Sequence, residues 1–255
     1  MKLVRPEECK SRTKHLLQSC VERHDYSPLD PDESVLKWLF KVYPNNTDRD
    51  EVGVKVSVLN ALYGTQIGDT GKVADHICKM RSLDKTLRAK KMEEALRAIP
   101  LIAEGHGLRM GKRKKESYLL SFASKYSHFR RPEVFPIYDA YATNIGLLRL
   151  LKHLEPDASW TQERLKEPVA LIEGIMVLKR KLGVWSLQSG GLGYKDIDNA
   201  LWPLGQSIYY AEHSGTVKER KENKGMDYVH ANRIPAFMLR GRPALRAHWT
   251  CSGHT

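Results

Sequence analysis

From Glu7 to Tyr210 the apolar residues recur at three- and four-residue intervals, and alternating strand patterns bounded by turn residues are scarce. A stripe of that period is buried only by packing helix on helix, so the predicted class is all-α. The pattern predicts helices over Glu7 to His24, Asp32 to Val42, Asp48 to Tyr63, Thr70 to Met80, Lys85 to Ile99, Glu116 to His128, Asp139 to Leu154, Thr161 to Leu182 and Tyr194 to Tyr210. Pro28 and Pro31, Pro44 with Asn45 and Asn46, Pro132 and Pro136, and Ser189-Gly190-Gly191 punctuate them. From about His213 the pattern gives way to a charge run, Lys218 to Lys224, and then to basic residues mixed with Pro, Gly and single aromatics. The expected organisation is a helical domain over residues 1–212 and a basic, solvated tail over 213–255, with phosphate contact as the tail's alternative role.

Charge narrows the partners. Lysine and arginine number 42 against 30 acidic residues, a net charge of +12, and such a field favours polyanions: nucleic acid first, an anionic membrane surface second. No stretch approaches the length of a membrane span, and Met1 to Cys9 lacks the apolar core of a signal peptide. A cytoplasmic protein with reduced thiols is the expectation. Cys9, Cys20, Cys78 and Cys251 are scattered, which argues against a structural zinc or an iron–sulfur cluster. His76, His106, His128 and His153 show no ligand spacing, and Ser189-Gly190-Gly191-Leu192-Gly193 lacks the lysine and the strand of a nucleotide-binding loop. Neither metal nor cofactor is expected.

Three segments carry chemistry. In Glu116 to Ala142, ESYLLSFASKYSHFRRPEVFPIYDAYA, a helix runs into a Pro-marked turn that ends at Asp139, where an N-cap is due. An aspartate there either only caps or, held ionised by the helix terminus, stabilises positive charge on a sugar. In Val58 to Ile77, VLNALYGTQIGDTGKVADHI, Gln66 lies in a turn and Asp69 stands where it would cap the next helix. Lys112, Arg113, Lys114 and Lys115 form a cationic run that either neutralises phosphates or faces solvent.

The string FPIYDAYATNIGLLRLL resembles the segment of helix-hairpin-helix (HhH-GPD) DNA glycosylases, the endonuclease III and MutY superfamily, in which Pro-Val-Asp-Thr-His opens a helix. The Gln66 segment resembles that family's Leu-Ser-Ala-Gln-Thr-Thr-Asp turn. The resemblance covers about Val58 to Leu151 and implies two helical lobes with duplex DNA across the cleft, in a monomer. It also implies excision of a damaged or modified base by cleavage of the N-glycosidic bond, Asp139 as the catalytic acid, and Gln66 filling the space left by the extruded base. The family's Leu-Pro-Gly-Val-Gly hairpin is missing; Met110 to Glu116 stands in its place. The family's Schiff-base lysine falls on Ser121, as in the monofunctional branch, where water is the nucleophile. Lys125, one helical turn on, is either an amine nucleophile, or a snorkelling side chain or phosphate contact. Tyr138, Tyr141, Trp38 and Trp202 are candidate walls of the base pocket. These departures resemble a divergent bacterial branch associated with phage defence, which makes a hypermodified cytosine one candidate substrate. The alternative is a non-enzymatic basic helical module for DNA or RNA, with Asp139 as a cap alone.

Overall fold

The computed structural model describes residues 30–109, 116–183 and 193–213. Backbone contacts divide the chain into two units, Met1–Ala211 and Glu212–Thr255, and apart from the last two residues of the final helix everything described belongs to the first. The predicted Glu7 to His24 helix, the cations 112–115 and the basic tail lie outside the described residues.

The described residues are helical and contain no strand. Eleven α-helices and one π-helix follow in order: α1 (Asp30–Val42), α2 (Arg49–Tyr63), α3 (Thr70–Lys79), α4 (Leu83–Leu87), α5 (Met92–Leu96), α6 (Ala98–Ala103), α7 (Leu120–Arg130), the π-helix (Ala140–Leu147), α8 (Leu148–Leu154), α9 (Gln162–Lys166), α10 (Pro168–Leu182) and α11 (Tyr194–His213). Capping sets most of the boundaries. Asp48 accepts from the amides of Asp50 and Glu51 at the start of α2, Asp69 from Lys72 at α3, and Thr161 from Arg164 at α9. Gly64 and Gly183 end α2 and α10 in the left-handed region.

Three predicted helices are broken where the chain has a physical reason to break. Lys85 to Ile99 divides into α4, α5 and the start of α6, because Arg131 Nη1 takes the carbonyls of Leu87 and Ala89 at 3.0 and 2.8 Å, carbonyls a continuous helix would use internally. Thr161 to Leu182 divides at Glu167, the residue before Pro168, where helical backbone is disfavoured. Asp139 to Leu154 begins as a π-helix rather than an α-helix.

One hydrophobic cluster, from Leu36 in α1 to Ile208 in α11, runs through the helices. Helix α7 is its axis: it packs against α1, α2 and α6, and Phe122 and Tyr126 are almost fully buried. α10 packs on α8, α9 and the π-helix, and α11 is pressed against the π-helix at two glycines. A Cβ on Gly205 would collide with the Tyr141 carbonyl, and one on Gly146 would lie 2.8 Å from the Leu201 carbonyl. That close approach brings α11 to the segment carrying Asp139.

Candidate active site

An uninterrupted helix would place residues 125 and 139 about 21 Å apart. Instead, the chain folds back after α7. Arg131 is tied to the end of α4, His128 Nδ1 meets the Phe135 carbonyl at 2.9 Å, and Ser124 Oγ accepts from the Tyr138 amide at 3.0 Å. Residues 132–134 form a turn in which the amides of Val134 and Phe135 donate to the Arg131 carbonyl, and Phe135 anchors the return segment in the core. Asp139 thereby comes alongside α7.

At that point Asp139, Lys125 and Ser121 meet. Lys125 Nζ donates to Ser121 Oγ at 2.6 Å, to the Tyr138 carbonyl at 3.2 Å, and lies 3.5 Å from Asp139 Oδ2. Asp139 Oδ1 accepts from the amides of Tyr141 (2.9 Å) and Ala142 (3.3 Å), so it caps the π-helix with one oxygen and faces the lysine with the other. The lysine side chain is 2% exposed and the aspartate 21%. Lys125 does not run to solvent as a surface lysine does; its amine is held inside, next to a carboxylate that solvent and ligand can reach. π-helical turns are rare and concentrate at functional sites.

A second amine–carboxylate pair shares an aromatic ring, Tyr63, with the first. The Lys125 ammonium lies 5.5 Å from the centre of the Tyr63 ring, and Lys195, on α11, lies 5.4 Å from it. Lys195 pairs with Asp198 Oδ2 at 2.9 Å. Burial pushes the Tyr63 phenol up to about 12 against the opposing pull of Lys195. At Lys195 burial acts downward, but Asp198 and Tyr63 outweigh it and the ammonium is held above its usual range. At His128, three residues past Lys125 on α7, burial lowers the imidazole more than its bond to the Phe135 carbonyl raises it. Glu33, Lys195 and Asp198 are all close enough to act on both His128 and Tyr63, so α1, α2, α7 and α11 converge on one polar cluster.

Gln66 stands three residues beyond Tyr63, exposed, in the turn between α2 and α3. It is the one non-glycine among the described residues with a positive φ, 60°. Asn60 holds the turn on both sides of it: its carbonyl oxygen accepts from Thr65 Oγ1 at 2.8 Å and from the Ile67 amide at 2.9 Å, while its amide donates to the Ile67 carbonyl at 3.2 Å. Strained backbone over-determined by its surroundings is the pattern of a functional loop. Asp69 caps α3.

The four aromatic candidates separate. Tyr138 is buried, its hydroxyl donating to Asn144 Oδ1 at 3.0 Å. Tyr141 adjoins Asp139 and stacks edge-on against Tyr209 of α11, with centroids 5.4 Å apart. Trp202 is half-buried on α11 at the edge of the core, and Trp38 is 59% exposed on α1.

Between α6 and α7 the sequence reading placed the phosphate contact in residues 112–115. The described part of that connection holds a group of backbone amides filled by the chain's own carboxylate. Glu116 Oε1 accepts from the Gly107 amide at 2.6 Å and lies 3.2 Å from His106 Nδ1. Slight burial pushes the carboxyl up, but the amides of Gly107, Gly105 and His106 and the His106 ring hold it below the usual carboxylate range. Gly105 and Gly107 both have positive φ, which turns successive amides toward one point.

Sequence reasoning missed Tyr63, Lys195 and Asp198. The helical signal gave α11 amphipathic spacing and early acidic residues, which account for Asp196 and Asp198 without chemistry. Among the described residues no group of three or more His, Cys, Asp or Glu is arranged to hold a metal, and no helix is long and apolar enough to cross a membrane.

Comparison with known proteins adds a family segment and a relative. The HI_0787_N family model, described as an N-terminal domain, matches residues 13–134, a span that contains Gln66, Ser121 and Lys125 and stops short of Asp139. A Haemophilus influenzae protein described as uncharacterized is 28% identical over 154 residues, 60% of this chain and 66% of that protein. No solved structure matches the chain.

Proposed function

We propose that this protein is a DNA glycosylase of the helix-hairpin-helix kind, two-lobed, which extrudes a damaged or modified base from duplex DNA and cleaves its N-glycosidic bond. The observation that carries the reading is Asp139 at the N-terminus of the π-helix: one oxygen on two backbone amides, the other 3.5 Å from a buried lysine, and the carboxylate partly open. Breaking a C1′–N bond builds positive charge on the sugar, and a fixed carboxylate aimed at it stabilises that charge. In the hydrolytic course, water adds its oxygen to C1′, the electron pair of the C1′–N bond leaves with the base, and the water proton passes to Asp139. Gln66 on its strained, braced turn serves to fill the vacated place in the duplex, since an amide offers both donor and acceptor. The net charge of +12 supports the polyanionic partner.

A second course is favoured by one specific observation, the burial of the Lys125 amine next to Asp139. There the neutral amine adds to C1′, the base leaves with the bond pair, and the amine proton moves to Asp139, leading to an imine and strand nicking. Borohydride separates the two. With water as nucleophile, the product is an intact strand bearing an abasic site and nothing is trapped, which is the outcome we expect. With the amine, a protein–DNA crosslink forms and Lys125→Ala abolishes it.

A hypermodified cytosine of phage DNA is the proposed substrate class, and a role in phage defence follows from it. The test is base release from genomic DNA of phages with and without modified bases. Release from the modified genomes alone supports the substrate class; release only from damaged, otherwise unmodified DNA removes it and leaves a repair glycosylase.

A further inference from the structure

The hydrogens of the Lys125 amine are all spoken for. Its three N–H donors meet three acceptors, Ser121 Oγ at 2.6 Å, the Tyr138 carbonyl at 3.2 Å and Asp139 Oδ2 at 3.5 Å, and the Tyr63 ring centre stands 5.5 Å away. The lysine side chain is 2% exposed, whereas Ser121 and Asp139 are both partly open. A molecule arriving from solvent therefore meets the serine hydroxyl and the carboxylate, with the amine buried beneath them.

Ser121 still has a hydrogen to give. Its oxygen accepts from Lys125, while its own O–H donates to no protein group among the described residues. Two acceptors that share one amine at 2.6 and 3.5 Å stand at most about 6 Å apart, and about 5 Å apart when the N–H directions splay tetrahedrally. A water making two hydrogen bonds of about 2.8 Å spans a gap of that size. The hydroxyl supplies a donor on one side of it and the carboxylate an acceptor on the other.

We propose that Ser121 and Asp139 together hold the attacking water: the Ser121 O–H donates to its oxygen, the water donates one hydrogen to Asp139 Oδ2, and its remaining lone pair faces C1′. Lys125 is then a positioning residue, which fixes the hydroxyl with one N–H and the carboxylate with another. The inference rests on the glycosylase reading and supplies the geometry of its hydrolytic course. The water oxygen bonds to C1′, the C1′–N pair leaves with the base, and the water proton passes to Asp139, while Ser121 keeps its own. Holding the nucleophile at two points matters because a misplacement of about 1 Å costs on the order of a hundredfold in rate.

The test is single-turnover excision by the full-length protein, in excess over duplexes carrying 8-oxoguanine, ethenoadenine or 5-hydroxymethylcytosine, with and without methanol in the buffer. Methanol attacking in place of water leaves a methyl glycoside, and mass spectrometry of the strand separates it from the abasic site. Ser121→Ala should slow base release by about ten- to a hundredfold. It should also raise the share of methyl glycoside severalfold, because methanol keeps the bond to Asp139 and its methyl group takes the room of the missing hydroxyl. Ser121→Thr restores the hydroxyl and should bring both rate and share back toward wild type. Should Ser121→Ala fail to fold, Ser121→Cys, similar in size but a weak donor, gives the same reading. Release at the wild-type rate in the Ala or Cys variant, or a slower rate with an unchanged share of methyl glycoside, overturns this inference and leaves the glycosylase. Wild type that opens none of these duplexes removes both.

Discussion

Lys55 and Lys125 are both almost wholly buried, and the groups around each give it a different role. Lys55 donates to the carbonyls of Tyr43 (3.0 Å) and Asn45 (2.7 Å) and to Asn46 Oδ1 (2.9 Å), so its ammonium is used up in closing the end of α1. Asn46 also accepts from Tyr126 and donates to Asp84, which makes the cluster a structural hub. Burial lowers Lys55 to about 8, partly opposed by Asp84. Between that value and the unfolded 10.5 the unfolded chain binds more protons, so stability rises with pH across this window, by roughly 3 kcal/mol for this group alone. Urea midpoints at pH 7.5 and pH 10 should differ more in wild type than in Lys55→Met; an equal pH dependence in the two would show that Lys55 keeps its ordinary pKa. Lys125, by contrast, spends one contact on a carboxylate that is open to ligand, and for that reason it belongs to the site.

At the scale of elements, the cap positions were the most legible part of the sequence. Asp69 and Asp139 each hold the amides that their place before an apolar run predicts, and Asp48 and Thr161, where two further helices were expected to begin, cap α2 and α9. Capping is local chemistry, decided within three residues. The meeting of Lys125 with Asp139 was not legible, because it depends on Arg131 reaching back to Leu87 and Ala89, over forty residues away. Tyr63 and Lys195 were further out of reach, each an ordinary helical residue until α2 and α11 converge.

Two predictions belong to the elements. Asn60→Ala removes the three bonds that brace the Gln66 turn, and with Gln66 at φ 60° the turn should relax; productive DNA binding should weaken several-fold with the melting temperature within a few degrees of wild type. DNA affinity unchanged in both Asn60→Ala and Gln66→Ala would make the turn a mere connection. Glu116→Ala empties the amide nest at Gly105–Gly107 and removes a negative charge beside it. If a DNA phosphate docks there, affinity should rise severalfold in a filter-binding titration and inorganic phosphate should compete. Loss of affinity would mean that the carboxylate only braces the loop.

For the whole molecule, the proposed DNA binding by a chain of net charge +12 should be steeply salt-dependent, with a log–log slope of about −0.9 per phosphate contact. Replacing Lys112 to Lys115 with serine should flatten that slope, and an unchanged slope would place the run in solvent. Charge alone, however, describes any nucleic-acid binder. The proposed enzymatic reading rests instead on the buried amine and the half-open carboxylate held together by a refolded turn. The most direct measurement is single-turnover incubation of wild type and Asp139→Asn with a panel of duplexes carrying damaged or modified bases, read as alkali-labile abasic sites. Asn keeps the side chain's size and its cap to Tyr141 and Ala142, so the fold should persist while the charge facing the sugar is lost. The account predicts abasic sites with wild type and a loss of at least about a hundredfold in rate with Asp139→Asn. Wild type that binds these duplexes yet opens no abasic site on any of them, or an Asp139→Asn protein as fast as wild type, would contradict it.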